Sequence, residues 1–134
     1  MLVEKPESLP VNKELIFQIV DATAEYQDLG PISRYRMVFT LQVWEKTDYS
    51  KSYYIEEVMY NGVFSEQYFL DFIETATNME FIWHWSDIDI AIGAVFIGKI
   101  TVKVRENLWK HQTKFYNVVA MRHIGFMEEG GKRQ

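Results

Sequence analysis

The chain has 134 residues, 48% hydrophobic and 25% charged, with a formal net charge of −5 at pH 7. That length and balance suit one globular domain with an ordinary core, and the negative sum argues against a protein that coats nucleic acid by bulk charge. Cysteine is absent, so disulfides, thiolate catalysis and cysteine-ligated zinc are excluded.

In chain order, Met1–Asn12 holds Pro6 and Pro10 among charges and reads as an extended arm. It lacks a basic segment followed by an apolar one, so no signal peptide is expected. Lys13–Tyr26 is rich in Ile, Val and Phe and predicts a first strand. Gln27–Ile32 is a turn punctuated by Gly30-Pro31. Ser33–Lys46 predicts the cleanest strand: Tyr35, Met37, Phe39, Leu41 and Val43 share one face, while Arg34, Arg36, Thr40, Gln42 and Trp44 share the other with Val38. After a turn at Thr47–Ser50, Lys51–Tyr60 predicts a third strand, broken by Asn61-Gly62.

The period then changes. Phe69, Phe72, Ile73 and Ala76 recur at helical spacing, so Ser65–Thr77 predicts a helix with Ser65 as its cap and Glu66 and Asp71 in its first half. Phe81–Trp85 predicts a short strand, followed by a turn of helix capped by Ser86. Val95–Arg105 and Lys114–His123 are strands four and five, and Met127–Gln134 is a charged, Gly-rich tail expected to fray. The longest apolar run, Ala91–Ile100, is half the ~20 residues that span a bilayer. A soluble, cytoplasmic protein with no membrane partner is therefore expected.

Five antiparallel strands with a helix between the third and fourth is the connectivity of the OB-fold, a partly open barrel. One such domain over residues 1–126 is the expected architecture, and an open α+β sheet fits the same string. Charge is polarised along this order. Residues 98–126 carry Lys99, Lys103, Arg105, Lys110, Lys114 and Arg122 against the single acid Glu106, whereas residues 1–97 carry six basic and 16 acidic residues. A basic hairpin on an acidic body points to an anionic partner.

Hydrolytic and metal chemistry find no support. Asp87 and Asp89 supply at most two carboxylates, and Glu56 and Glu57 point to opposite faces of a strand. His84, His111 and His123 are far apart in sequence, and no phosphate loop or nucleophile motif is present. No enzymatic activity and no cofactor are expected.

The segment IGKITVKVRENLWKHQTKFYNVV (Ile97–Val119) resembles the phage-encoded single-stranded DNA-binding proteins of the OB-fold type, from phages of Gram-positive bacteria. In that family a Gly-Lys/Arg pair opens a Val-rich basic strand, and a polar turn leads to a Lys-x-Tyr-Asn-x-Val segment. Gly98-Lys99 and Lys114-Phe115-Tyr116-Asn117-Val118-Val119 approximate both parts, and Phe17–Trp44 gives a weaker match. The chain departs from the family in its turn Gln27–Ser33, its aromatic and acidic segment Phe81–Ala91 and its tail EEGGKRQ. The resemblance implies sequence-nonspecific binding of single-stranded DNA during phage replication and recombination, in the cytoplasm of an infected host. It also implies recombinase or replication proteins of the phage as further partners.

Single strands are held by basic grooves and by aromatic faces that stack bases. The residues expected to do so are Arg34, Arg36 and Trp44 on strand two, Tyr54 (or Tyr53, by register) on strand three and Lys99, Lys103 and Arg105 on strand four. Trp109 and Lys110 in the turn and Lys114 and Tyr116 on strand five complete the set. Trp44 and Tyr116 are the stacking candidates; Lys103, Arg105 and Lys114 are the phosphate candidates. Association into a homodimer is expected, because pairing two short tracks raises avidity. Alternatively Trp44 and Trp109 pack under the arm or in an interface, and the chain is a non-enzymatic interaction module on a small β-barrel.

Overall fold

Five strands form: β1 (Leu15–Asp28), β2 (Ser33–Glu45), β3 (Asp48–Tyr60), β4 (Ala94–Glu106) and β5 (Gln112–Phe126). A helix, α1 (Glu66–Thr77), and a 3-10 segment, Trp85–Ala91, lie between β3 and β4. The computed structural model describes residues 9–61, 66–81 and 84–127, without the side chains of Trp85 and Ser86. The expected caps Ser65 and Ser86, part of the short strand expected at Phe81–Trp85 and the tail beyond Met127 fall outside this description. None of the described helices is long and apolar enough to cross a membrane.

The strands make one sheet in the order β3-β2-β1-β4-β5, every neighbour antiparallel. Alternation explains its two faces. Met37, Phe39, Leu41 and Val43 of β2 are fully buried, and the residues between them are half-buried on the outer face. Leu15–Gln18 of β1 pair with β2 on one side and β4 on the other. Beyond them the register shifts between Ile19 and Asp21, leaving Val20 as an extra residue that bends β1. The rest of β1 pairs with β2 alone. β5 carries two similar shifts against β4, at Met121 and at Ile124.

The core is largely phenylalanine. Phe17 stacks on Phe96 at 5.2 Å, Phe72 meets Phe96 edge-on at 5.5 Å, and Phe39 bridges Phe72 and Phe69 at 5.1 and 6.4 Å. Phe69 then meets Phe81 edge-on at 5.1 Å. These rings pin α1 across the inner face of the sheet, which supplies the reason for its helical apolar spacing. Asn78 ends α1 in the left-handed region (φ 55°). His123 of β5 donates from Nδ1 to the carbonyl of Ala76 at 2.7 Å. Leu9, in the segment read as an extended arm, is buried in this core, and Asn12 N–H donates to the Ile100 carbonyl at 2.7 Å.

The sheet does not close into the expected barrel: β3 and β5 form no ladder. Side chains occupy the seam instead. The Val118 N–H donates to Glu57 Oε2 of β3 at 2.7 Å, and the Tyr68 hydroxyl of α1 donates to the Val118 carbonyl at 2.8 Å. Both backbone groups that a fifth ladder, between β3 and β5, would have used at Val118 are thus satisfied by a carboxyl and a phenol. Glu57 is fully buried. Burial raises the pKa of its carboxyl, against the opposing hydrogen bond from Val118. Burial, then the neighbouring Glu57 charge, raises that of Tyr68.

A raised carboxyl pKa means that the folded state holds the proton more tightly than the unfolded one. That contribution to stability is complete below the unfolded glutamate pKa and is lost as pH rises through the folded value. In urea titrations from acid to neutral pH, Glu57→Gln is therefore expected to gain stability relative to wild type as pH rises. Glu57→Ala, which strands a buried N–H, should cost about 1–3 kcal/mol relative to Glu57→Gln. A wild-type-to-Gln difference that is flat in pH would contradict this account. Gly98 offers a second check. A Cβ there would stand 2.5 Å from the Val119 carbonyl oxygen and 3.2 and 3.3 Å from the rings of Phe96 and Phe17. Gly98→Ala should lower the thermal midpoint, because backbone rather than a side-chain tip must move.

Candidate nucleic-acid interface

Register decides which charged and aromatic residues meet. On β4, Lys99, Thr101, Lys103 and Arg105 alternate onto the outer face, opposite Val119, Asn117, Phe115 and Thr113 of β5. Arg105 lies over the ring of Phe115, its Cζ 5.5 Å from the centroid. Two residues back along β4 on the same face is Ile97, which pairs with Ile16, which pairs with Trp44. Tyr54, 63% exposed, pairs with Gln42, the residue two before Trp44 on that face. Tyr54, Trp44, Lys99, Lys103 and Arg105 therefore follow one diagonal across the outer face. Tyr53 points inward against the core, which resolves the choice between the two tyrosines.

The same register separates the other expected residues. Arg34 and Arg36 share the phase of Trp44 but stand at the far end of β2, about 30 Å away along the strand. Arg34 is also engaged: its Nε donates to Gln27 Oε1 at 3.0 Å and its Cζ lies 4.0 Å from the Tyr60 ring centroid. Arg36 pairs with Glu25 on β1. Lys114 and Tyr116 pair with Val104 and Val102, on the face opposite Lys103 and Arg105, and Tyr116 packs against the core. The residues expected to bind on strands two, four and five therefore do not all share one face: Lys114 and Tyr116 lie on the other side of the ribbon from Lys103 and Arg105. Phe115 and Asn117 take the place of Lys114 and Tyr116. Lys46 and Arg122 also join the rim, both sharing Glu14 Oε1 at 3.1 and 4.0 Å. The hydrogen bond from Lys46, then its charge, lowers the pKa of Glu14.

Beyond the Ile100–Val118 pair, β4 and β5 run on as a two-stranded ribbon with no described strand beside it. Every residue from Lys103 to Lys114 is exposed. Trp109 and Lys110 sit at its tip rather than on the outer face. The tip is held by Asn107, whose Oδ1 accepts the N–H groups of Trp109 at 2.9 Å and His111 at 3.0 Å. The Asn107 carbonyl accepts from Lys110 N–H at 3.0 Å, and Asn107 N–H donates to the His111 carbonyl at 3.1 Å. Lys110 takes the left-handed region (φ 60°) that closes the turn.

Among the described residues no group of three or more His, Asp or Glu is placed to hold a metal ion. Glu56 is exposed while Glu57 is buried, and Asp87 and Asp89 are exposed on the 3-10 segment. No family model matches the chain, and neither a curated protein nor a solved structure matches it.

The Asn107 acceptor makes the tip stiff without help from packing. Asn107→Ala is expected to speed amide exchange at Trp109 and His111. It should cost the whole fold no more than about 1 kcal/mol, the usual net worth of an exposed hydrogen bond. Unchanged exchange at both amides would refute this role.

Proposed function

We propose that this protein binds single-stranded DNA without strong sequence preference, on the outer face of an OB-type sheet. The observation that carries the reading is the diagonal of Tyr54, Trp44, Lys99, Lys103 and Arg105, with Phe115 beneath Arg105. Such a face alternates rings, on which bases of any identity stack, with cations spaced along a strand for phosphates. Residues 98–126 sum to +5 while residues 1–97 sum to −10, so binding is local to this track.

The scaffold supports the reading. A β3-β2-β1-β4-β5 order with a helix between β3 and β4 is that of a five-stranded barrel left open at one seam. The resemblance of Ile97–Val119 to phage single-strand binders agrees, and suggests work in replication or recombination with the phage's own enzymes as partners. One short track per chain favours association of two copies. A second reading, an interaction module, draws on the exposed apolar turn of Leu29 and Ile32 between β1 and β2.

Titration of tryptophan fluorescence with an oligo-dT at two salt concentrations tests the proposal. Lys103→Ala is expected to flatten the salt slope by about 0.7, one phosphate contact on a single strand. Tyr54→Ala should weaken binding by about 1–3 kcal/mol with the slope unchanged, because stacking releases no counterions. Lys51→Ala, an exposed cation off the track, is the control. Absence of salt-sensitive binding would leave the interaction module as the better account.

A further inference from the structure

The tip of the β4–β5 ribbon holds a residue that strand binding does not use. Leu108 is 98% exposed and Trp109 beside it 81% exposed. An indole can stack on a base; an aliphatic side chain has no ring face and no charge to offer a phosphate. Both sit on a turn held by the Asn107 side chain and the bonds between Asn107, Lys110 and His111. Little conformational freedom is then lost when the tip is engaged. The ribbon behind it is cationic, with Lys103, Arg105, Lys110 and Lys114 against Glu106. Apolar side chains on a rigid, cationic support are the composition that enters between base pairs and unstacks them.

Position selects the target. A strand lying along Lys99, Lys103 and Arg105 leads directly to the tip, since these residues ascend β4 toward Asn107. Whatever follows that strand meets Leu108 and Trp109. Bases already unpaired would leave Leu108 without a role, whereas the last base pair of a duplex offers an apolar stack to enter at its weakest step.

We propose that the Leu108–Trp109 tip is a wedge that engages the junction where a single strand enters duplex DNA. This rests on the single-strand reading above and deepens it: the ribbon holds the strand and the tip opens the first pair. The wedge favours a tailed duplex over either of its parts, because only there are ribbon and tip filled together.

The test compares a dT tail, the same tail joined to a duplex, and the blunt duplex alone, with 2-aminopurine at the first paired position. Wild type is expected to bind the tailed duplex about tenfold tighter than the tail, on the order of one stacking contact, and to brighten the 2-aminopurine. Leu108→Ser, at a position too exposed to affect folding, should remove both effects and leave binding to the tail unchanged. Equal wild-type affinity for tail and tailed duplex overturns the wedge while the single-strand reading stands. The wedge also falls if Leu108→Ser weakens the bare tail as much as the tailed duplex, or if the blunt duplex binds as well as the tailed one. Failure to bind any of the three overturns both readings. Leu108-dependent sedimentation with phosphatidylserine vesicles in that case would make the tip a membrane contact.

Discussion

Four residues, Leu15 to Gln18, are paired on both sides, and the arrangement of the whole molecule passes through them. On one side they hold β2 and, beyond it, β3; on the other they hold β4 and β5. Because β1 and β4 are antiparallel, the β1–β2 hairpin leaves this shared ladder in one strand direction and the β4–β5 hairpin in the other. The ladder is also the link that sets Trp44 beside Ile16 and Ile97, and so joins the aromatic end of β2 to the cations of β4. Its inner face explains why it persists: Leu15 and Phe17 are fully buried, and Phe17 stacks on Phe96 across the pair. Burying such side chains contributes roughly 1.5–3 kcal/mol each.

The seam opposite this ladder is closed by chemistry of another kind. Glu57 and Tyr68 satisfy both backbone groups of Val118, so the edge of β5 is capped there without a neighbouring strand. A buried carboxyl is a costly way to do this, since burial disfavours its charged form. The gain is specificity of position. An apolar residue at Glu57 would leave the Val118 N–H without its acceptor, whereas the carboxyl ties β3 to β5 at one register. An edge capped in this way is also less open to pairing with another chain.

The functional proposal follows from the same geometry. Phosphate-binding cations are exposed and cost little to display, so they say little alone. What distinguishes Lys99, Lys103 and Arg105 is their common face with Phe115 and their continuity with Trp44 and Tyr54. Arg34 and Arg36, equally basic, stand at the far end of β2, where Arg34 is engaged by Gln27 and Tyr60 and Arg36 lies across the ladder from Glu25. The stiff tip lies beyond that track, and its apolar residues are too exposed to serve the core.

Much of the fold was legible in the residues themselves. The period of two in β2 and the period of 3.6 in α1 are local consequences of burying one side, and both elements stand within a residue or two of where those periods place them. The basic character of residues 98–126 is likewise a property of composition. Tertiary structure alone decided the rest, because it depends on register and bulges. A slip of one residue turns a strand over. The pairing of Glu106 with Gln112 across the Asn107 turn put Phe115, rather than Tyr116, beside Lys103. Strands also ran past their expected ends, as β3 did from Asp48, because ladder pairing continues through polar residues that carry no apolar signal. Leu9 became core and Glu57 became the clasp of an open seam for a shared reason. Their partners, Ile100 on β4 for the neighbouring backbone and Val118 on β5 for the carboxyl, are distant in sequence, and no local pattern announces a contact made only when the chain has folded.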